Sequence, residues 1–161
     1  CDIYPSEDLF RLPPETYSVI TMWHVLEHVH QLDDYVQRIK ELLASNGKLI
    51  VAVPNYTSKD AAVYGADWAS YDVPRHLYHF SPKSMSILLN EIGFEIVSLK
   101  PMWYDSFYVS LLSEQYKQSG KLGTLLAGFI GLISNLLAIR DVSKASSIIY
   151  EVKKKTNPNN N

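Results

Sequence analysis

An α/β fold, a sheet with helices on its faces, is what this sequence predicts, and three observations predict it. Two continuous apolar runs, Tyr17 to Trp23 and Leu49 to Val53, flank an amphipathic helical stretch. A second helix and strand follow from Ser81 to Leu99, and a last strand runs from Ser146 to Lys153. Helices alternating with buried strands in this order build one layered domain. The size and balance agree: 161 residues, 47% apolar and 20% charged, are ordinary for one globular unit.

Each element has a local reason. Residues 1–14 are acidic and carry Pro5, Pro13 and Pro14, so they read as a connection. Tyr17 to Trp23 is β-branched and aromatic without polar alternation, which predicts a strand covered on both faces. Asp33 is placed to cap the next helix, where Leu32, Val36, Ile39 and Leu43 recur at helical spacing. Asn46-Gly47 is expected to end that helix, because both residues tolerate positive φ. The strand Leu49 to Val53 then runs into Pro54. Asn55 to Phe80 has no clear period and reads as a long loop, a length usually kept for function. Ser81-Pro82 opens a helix with a hydroxyl cap and proline at its first position; Met85, Leu88, Leu89 and Ile92 form its apolar stripe, and Gly93 ends it.

Asp105 to Arg140 is a helical insertion between the last two strands. Its most apolar part, Leu122 to Ile139, falls slightly short of the roughly 20 residues a membrane span needs. It also contains Ser134 and Asn135, so a buried or partner-facing helix is expected rather than a transmembrane span. In the final strand Ile148, Tyr150 and Val152 share one face and Ile149 takes the other. The sequence thus divides into one domain over 1–155 and a tail, 156–161, expected to be disordered.

A formal charge of −2 gives no global field that would gather nucleic acid or an anionic membrane. The single cysteine, Cys1, excludes an internal disulfide and fits a reducing compartment. No secretory signal pattern is visible, and the expected location is cytoplasmic. The chain starts without Met, as a trimmed or excised piece would.

Ligands of α/β sheets sit outside the carboxyl ends of the strands, which places His24 to His30, Asn55 to Phe80 and the Pro101 region around one mouth. His24-Val25-Leu26-Glu27-His28 reads two ways. On a continuous helix His24 and His28 would share a face and bind a metal, with Glu27 as general base. Alternatively, Glu27 and His28 hydrogen-bond the loop and shape the mouth.

The order of a strand, Leu26-Glu27-His28-Val29, a helix and Gly47-Lys48-Leu49-Ile50-Val51-Ala52-Val53-Pro54-Asn55 carries a resemblance, continued in Asp72-Val73-Pro74-Arg75-His76-Leu77-Tyr78-His79-Phe80-Ser81. It resembles the second half of the class I S-adenosylmethionine-dependent methyltransferases, in the small-molecule branch that includes quinone-pathway O-methyltransferase-like proteins. The match covers about Asp2 to Lys100 and the final strand. The resemblance implies a partial Rossmann-like sheet, S-adenosylmethionine as cofactor and methyl transfer to a small-molecule acceptor. It implies that Asp2 approaches the adenine amino group and that Met22, Trp23 and His24 line the cofactor. His28, His76 and His79 become the candidate bases, Arg75 a holder of an anionic acceptor, and Tyr71 and Tyr78 part of an acceptor pocket. It assigns no metal ligand.

The family's glycine-rich cofactor loop lies in its first half. Gly120-x-x-Gly123 and Gly128-x-x-Gly131 follow no strand and do not qualify. The resemblance therefore implies a C-terminal portion, inactive alone and prone to self-associate through the exposed edge of Tyr17 to Trp23 or through the insertion. The apolar insertion adds the expectation of a lipid-like acceptor and peripheral membrane contact. Two other readings stay open: a non-catalytic methyltransferase-like binding module, and a metal hydrolase using His24, Glu27 and His28.

Overall fold

The computed structural model describes residue 3 and residues 5–155. The expected tail and Asp2 lie outside the described residues. Four strands form one mixed sheet in the order β1-β2-β4-β3. β1 (Tyr17–Trp23) lies parallel to β2 (Leu43–Pro54), and the crossover between them contains α1 (Leu32–Leu42). β4 (Ser147–Lys154) inserts antiparallel between β2 and β3 (Phe94–Pro101). The sheet's main core lies against α1 and α3 (Pro82–Ile92), where Val36, Ile39, Met85 and Leu89 meet Val51 and Tyr150.

α3 forms as its sequence dictates. The Ser81 hydroxyl accepts from the Ser84 N–H, Pro82 opens the first turn, and Gly93 ends the helix at φ 89°. The capping residue at the other end of the crossover differs from expectation. α1 is preceded by Gln31 without a side-chain cap, while Asp33 sits inside the first turn, where its charge favours the helix dipole. α1 also stops at Leu42, so Leu43 belongs to β2. Asn46-Gly47 does not end the helix at positive φ. Gly47 lies in an irregular start of β2, where a Cβ would stand 2.9 Å from the Ala44 carbonyl oxygen and 3.0 Å from that of Tyr17. Close backbone approach, not a turn, demands glycine there.

β1 is an edge strand, and only its inner face is covered. Met22 is buried, while Val19 and Trp23 on the other face remain 50% and 49% exposed. The expectation of two covered faces fails because no described element packs on that side.

The segment after β2 is more ordered than its lack of period suggests. It contains α2 (Lys59–Tyr64), capped by the Ser58 hydroxyl accepting from Ala61 N–H, and two short 3₁₀ turns over Gly65–Asp67 and Ala69–Tyr71. Asn55, buried at the end of β2, donates to the Ser143 and Ala145 carbonyls and accepts from Thr57. It ties the segment's base to the start of β4.

The insertion is a hairpin of α4 (Trp103–Tyr116) and α5 (Gly120–Arg140). With α2 it encloses a second, smaller core of Ala61, Tyr64, Trp68, Ala69, Val109 and Ile130. At 21 residues α5 is long and apolar enough, by length and composition, to cross a membrane. The expected burial of the insertion holds for one face only: Gly123, Ala127, Gly131 and Ser134 are inside, and most of its large apolar side chains are outside.

Candidate active site

Two clefts meet at His24, the residue that follows β1. The larger, about 650 Å³, is lined by Phe10, His24, Val25, His28, Val29 and Tyr35, among others. The smaller, about 350 Å³, includes His24, Arg75, His76, Asp105, Tyr108 and Tyr116 in its lining. His24 therefore stands in the wall between them. Its backbone is left-handed at φ 52°, a region few non-glycine residues occupy although histidine is among those that do, and the surroundings hold it there.

What holds it is electrostatic. His24 Nδ1 lies 3.2 Å from Glu27 Oε1, and Nε2 lies 3.0 Å from Asp105 Oδ2. The hydrogen bond to Asp105, then that to Glu27, raise the imidazole from 6.5 to about 9, against the opposing effect of burial. At neutral pH both ring nitrogens donate, and His24 is a fixed cation. Both ring nitrogens are engaged by carboxyl groups. The H-x-x-E-H metal reading also needs a continuous helix, whereas His24 precedes a single 3₁₀ turn, Leu26–His28. His24 and His28 consequently do not act as a helical ligand pair.

His28 and His76 are placed differently. His28 Nδ1 lies 3.0 Å from the Arg75 carbonyl and His76 Nδ1 2.7 Å from the Ser70 carbonyl. A carbonyl only accepts, so each Nδ1 donates, and in the neutral ring each Nε2 is the acceptor. The two rings meet edge to face with centroids 4.7 Å apart. His28 lines the larger cleft and His76 the smaller. Glu27 is fully buried, and its Oε2 has no hydrogen-bond partner. Glu27, His28 and His76 each offer a ligand atom within 4.8 Å of one another, a mixed N/O set that suits a divalent cation.

The other expected site residues lie elsewhere. His79 Nε2 is 2.9 Å from the Tyr71 carbonyl, and its ring packs against Tyr71, outside the lining of either cleft. Tyr71 also packs against Trp68, and Tyr78 stacks near Phe80 while its hydroxyl donates to the His30 carbonyl. Both tyrosines pack the loop down and lie outside the lining of the two clefts. Arg75 reaches the smaller cleft but is paired with Asp72 at 2.6 Å. Met22 is inside the main core, and Trp23 is half exposed on the opposite face of β1. The residues that sequence reasoning missed, Asp105, Tyr108 and Tyr116, all come from α4. No local signal marks them, because the hairpin brings them to His24 only in three dimensions.

Residues 4–99 match the family described as methyltransferase domain. This chain belongs to that family. It is 26% identical over 105 residues to a ubiquinone biosynthesis O-methyltransferase of Xanthomonas euvesicatoria, a match covering 62% of this chain and 44% of the relative. Against the Azorhizobium caulinodans protein of the same description it is 28% identical over 97 residues, covering 56% and 38%. The chain thus spans less than half the length of these curated relatives. A SAM-dependent methyltransferase from Archaeoglobus fulgidus has the same fold, with a TM-score of 0.53, 16% identity, and 92% and 64% of the two chains covered.

S-adenosylmethionine is the family's cofactor, and the residues present fit one side of it. Phe10, Val25, Val29 and Tyr35 give the larger cleft an apolar and aromatic wall suited to a nucleoside. None of the seven glycines, however, lies in a strand-to-helix turn, so this chain supplies no backbone cradle for the cofactor's amino-acid end.

Proposed function

We propose that this chain forms the acceptor side of an S-adenosylmethionine-dependent methyltransferase for a small molecule. The observation that carries the reading is the pair of clefts sharing His24 as a wall, with His28 facing one and His76 the other. The cofactor, when bound against Val25, Val29 and His28 in the larger cleft, supplies an electrophilic methyl group. The acceptor occupies the smaller cleft. His76 Nε2 takes the acceptor's proton, and Asp72 Oδ2, 3.9 Å from that nitrogen, favours the imidazolium that forms. His24, held between Glu27 and Asp105, fixes the wall that separates cofactor from acceptor. Tyr108 and Tyr116 supply an aromatic wall that excludes water. The chain's contribution is alignment and proton removal; without a second wall for the cofactor it is inactive alone.

The test is methyl transfer by the full gene product. His76→Gln should lower kcat by about 10²-fold or more, while His79→Gln, outside the clefts, should leave it near wild type. Equal loss in both variants would sink the assignment. A second reading is favoured by the unpartnered Oε2 of Glu27: a divalent cation on Glu27, His28 and His76 would activate the acceptor instead. Full activity in the presence of a chelator would reject it.

A further inference from the structure

A helix on a soluble domain normally hides its large apolar side chains and shows polar ones. α5 is built the other way round. Leu122, Leu125, Phe129, Leu132, Leu136 and Ile139 follow one stripe along it, and each is between 48% and 79% exposed. The buried side is made of small residues apart from Ile130. Gly123, Ala127 and Gly131 recur every fourth position against α4, and a Cβ on Gly131 would stand 3.0 Å from Phe107 Cα. A stripe this long exceeds the isolated exposed leucines of an ordinary surface and needs a cover.

Charge decides what the cover is. α5 contains no Asp or Glu, and its only charged residues, Lys121 and Arg140, stand exposed at its two ends. Lys117 lies just before it, over the Tyr64 ring, and Lys144 just after, with Asp141 at 3.9 Å as the nearby acid. Two copies packed antiparallel along the stripe would bring Lys121 opposite Arg140 at both ends. Packed in parallel they would bring like residues together. Either pairing sets cation against cation, offset only by Asp141, which Lys144 already approaches. An apolar face bounded by cations at both ends is instead complementary to an anionic lipid surface.

We propose that the outer face of the α4–α5 hairpin docks on an anionic bilayer, with α5 lying in the membrane plane. The interior side of the helix rules out the spanning arrangement. Ser134, in its middle, donates within the buried cluster formed by Asp60 and the Lys144 carbonyl, at 3.1 and 3.0 Å. A spanning α5 would have to leave that cluster and strip a buried carboxylate of a donor. Docked in plane, the helix keeps it and sinks only its stripe into the headgroup and acyl boundary. The α5 stripe shares no residue with the lining of either cleft, and its docking stands or falls independently of the catalytic reading.

Vesicle flotation of the 161-residue chain tests the proposal. Phosphatidylcholine vesicles are compared with vesicles containing about one-third phosphatidylglycerol, at low and high salt. The chain should float with the anionic vesicles and much less with the neutral ones. Leu125→Glu/Phe129→Glu should lower the bound-to-free ratio at least tenfold, and Lys121→Glu/Arg140→Glu about tenfold on anionic vesicles only. All four positions are exposed, so circular dichroism should show each variant folded. Failure to float would overturn the proposal, as would binding indifferent to lipid charge. A dimer in light scattering that Phe129→Glu converts to monomer, with no flotation, would assign the stripe to a second copy instead.

Discussion

Asp60 should prove one of the most sensitive positions in this molecule. Its carboxylate is fully buried and forms no ion pair among the described residues. It is held by neutral donors alone: Trp68 Nε1 at 2.8 Å and the Ser146 hydroxyl at 2.7 Å on Oδ2, and the Ser134 hydroxyl at 3.1 Å on Oδ1. These join α2, the loop, α5 and the start of β4. Asp60→Ala removes all of these bonds and leaves their donors inside. Ser134 can turn fully to the Lys144 carbonyl, 3.0 Å away. Trp68 and Ser146 have no such alternative among the described residues. Hydrogen bonds to a charged group contribute about 1.5–3 kcal/mol each, so losing two without replacement costs about 3–6 kcal/mol. That is a large part of the roughly 5–15 kcal/mol that stabilises a domain. Ser134→Ala, which leaves Asp60 two donors, should cost only about 1 kcal/mol. Urea unfolding followed by circular dichroism, with the slope m checked for constancy, measures both. A loss under about 1 kcal/mol for Asp60→Ala would show that this network does not hold the segment as described.

Other outcomes follow from particular contacts. His24 is raised from 6.5 to about 9, so its contribution to stability is complete below about pH 6.5, declines as pH rises, and is gone above about 9. After discounting for its partial exposure, wild type should lose about 1–2 kcal/mol across that window. Asp105→Asn should lose much of that pH dependence, which unfolding curves at several pH values will show. Gly131→Val should destabilise by about 1–3 kcal/mol in thermal or urea unfolding, because Phe107 backbone occupies the space a side chain would need. Ser81→Ala should cost about 1 kcal/mol through loss of the α3 cap.

How far the sequence could be read depended on the range of the forces involved. α3 and its cap were legible because Ser81, Pro82 and Gly93 act within their own turns. The strands were legible because β-branched runs have few other uses. Asp33 misled because a capping residue and a first-turn acid look alike in sequence and differ only in one backbone angle. Gly47 misled for a similar reason: glycine marks both positive φ and close approach, and here Tyr17, distant in sequence, decides. At the site, His24, His28 and His76 were legible as titratable residues in one mouth, but their roles were not. Those roles depend on Asp105 from the insertion and on the Arg75 and Ser70 carbonyls, which fix each ring's tautomer. Tyr71, Tyr78 and His79 were drawn toward the site by composition, whereas their partners are loop carbonyls and rings.

The most direct test of the central claim is calorimetric titration of S-adenosylhomocysteine into this chain and, in parallel, into the full gene product that contains it. The account predicts one site per chain in the full product and weak or undetectable binding to the 161 residues alone. Absence of binding to the full product would contradict the methyltransferase reading and leave the two clefts to a different ligand.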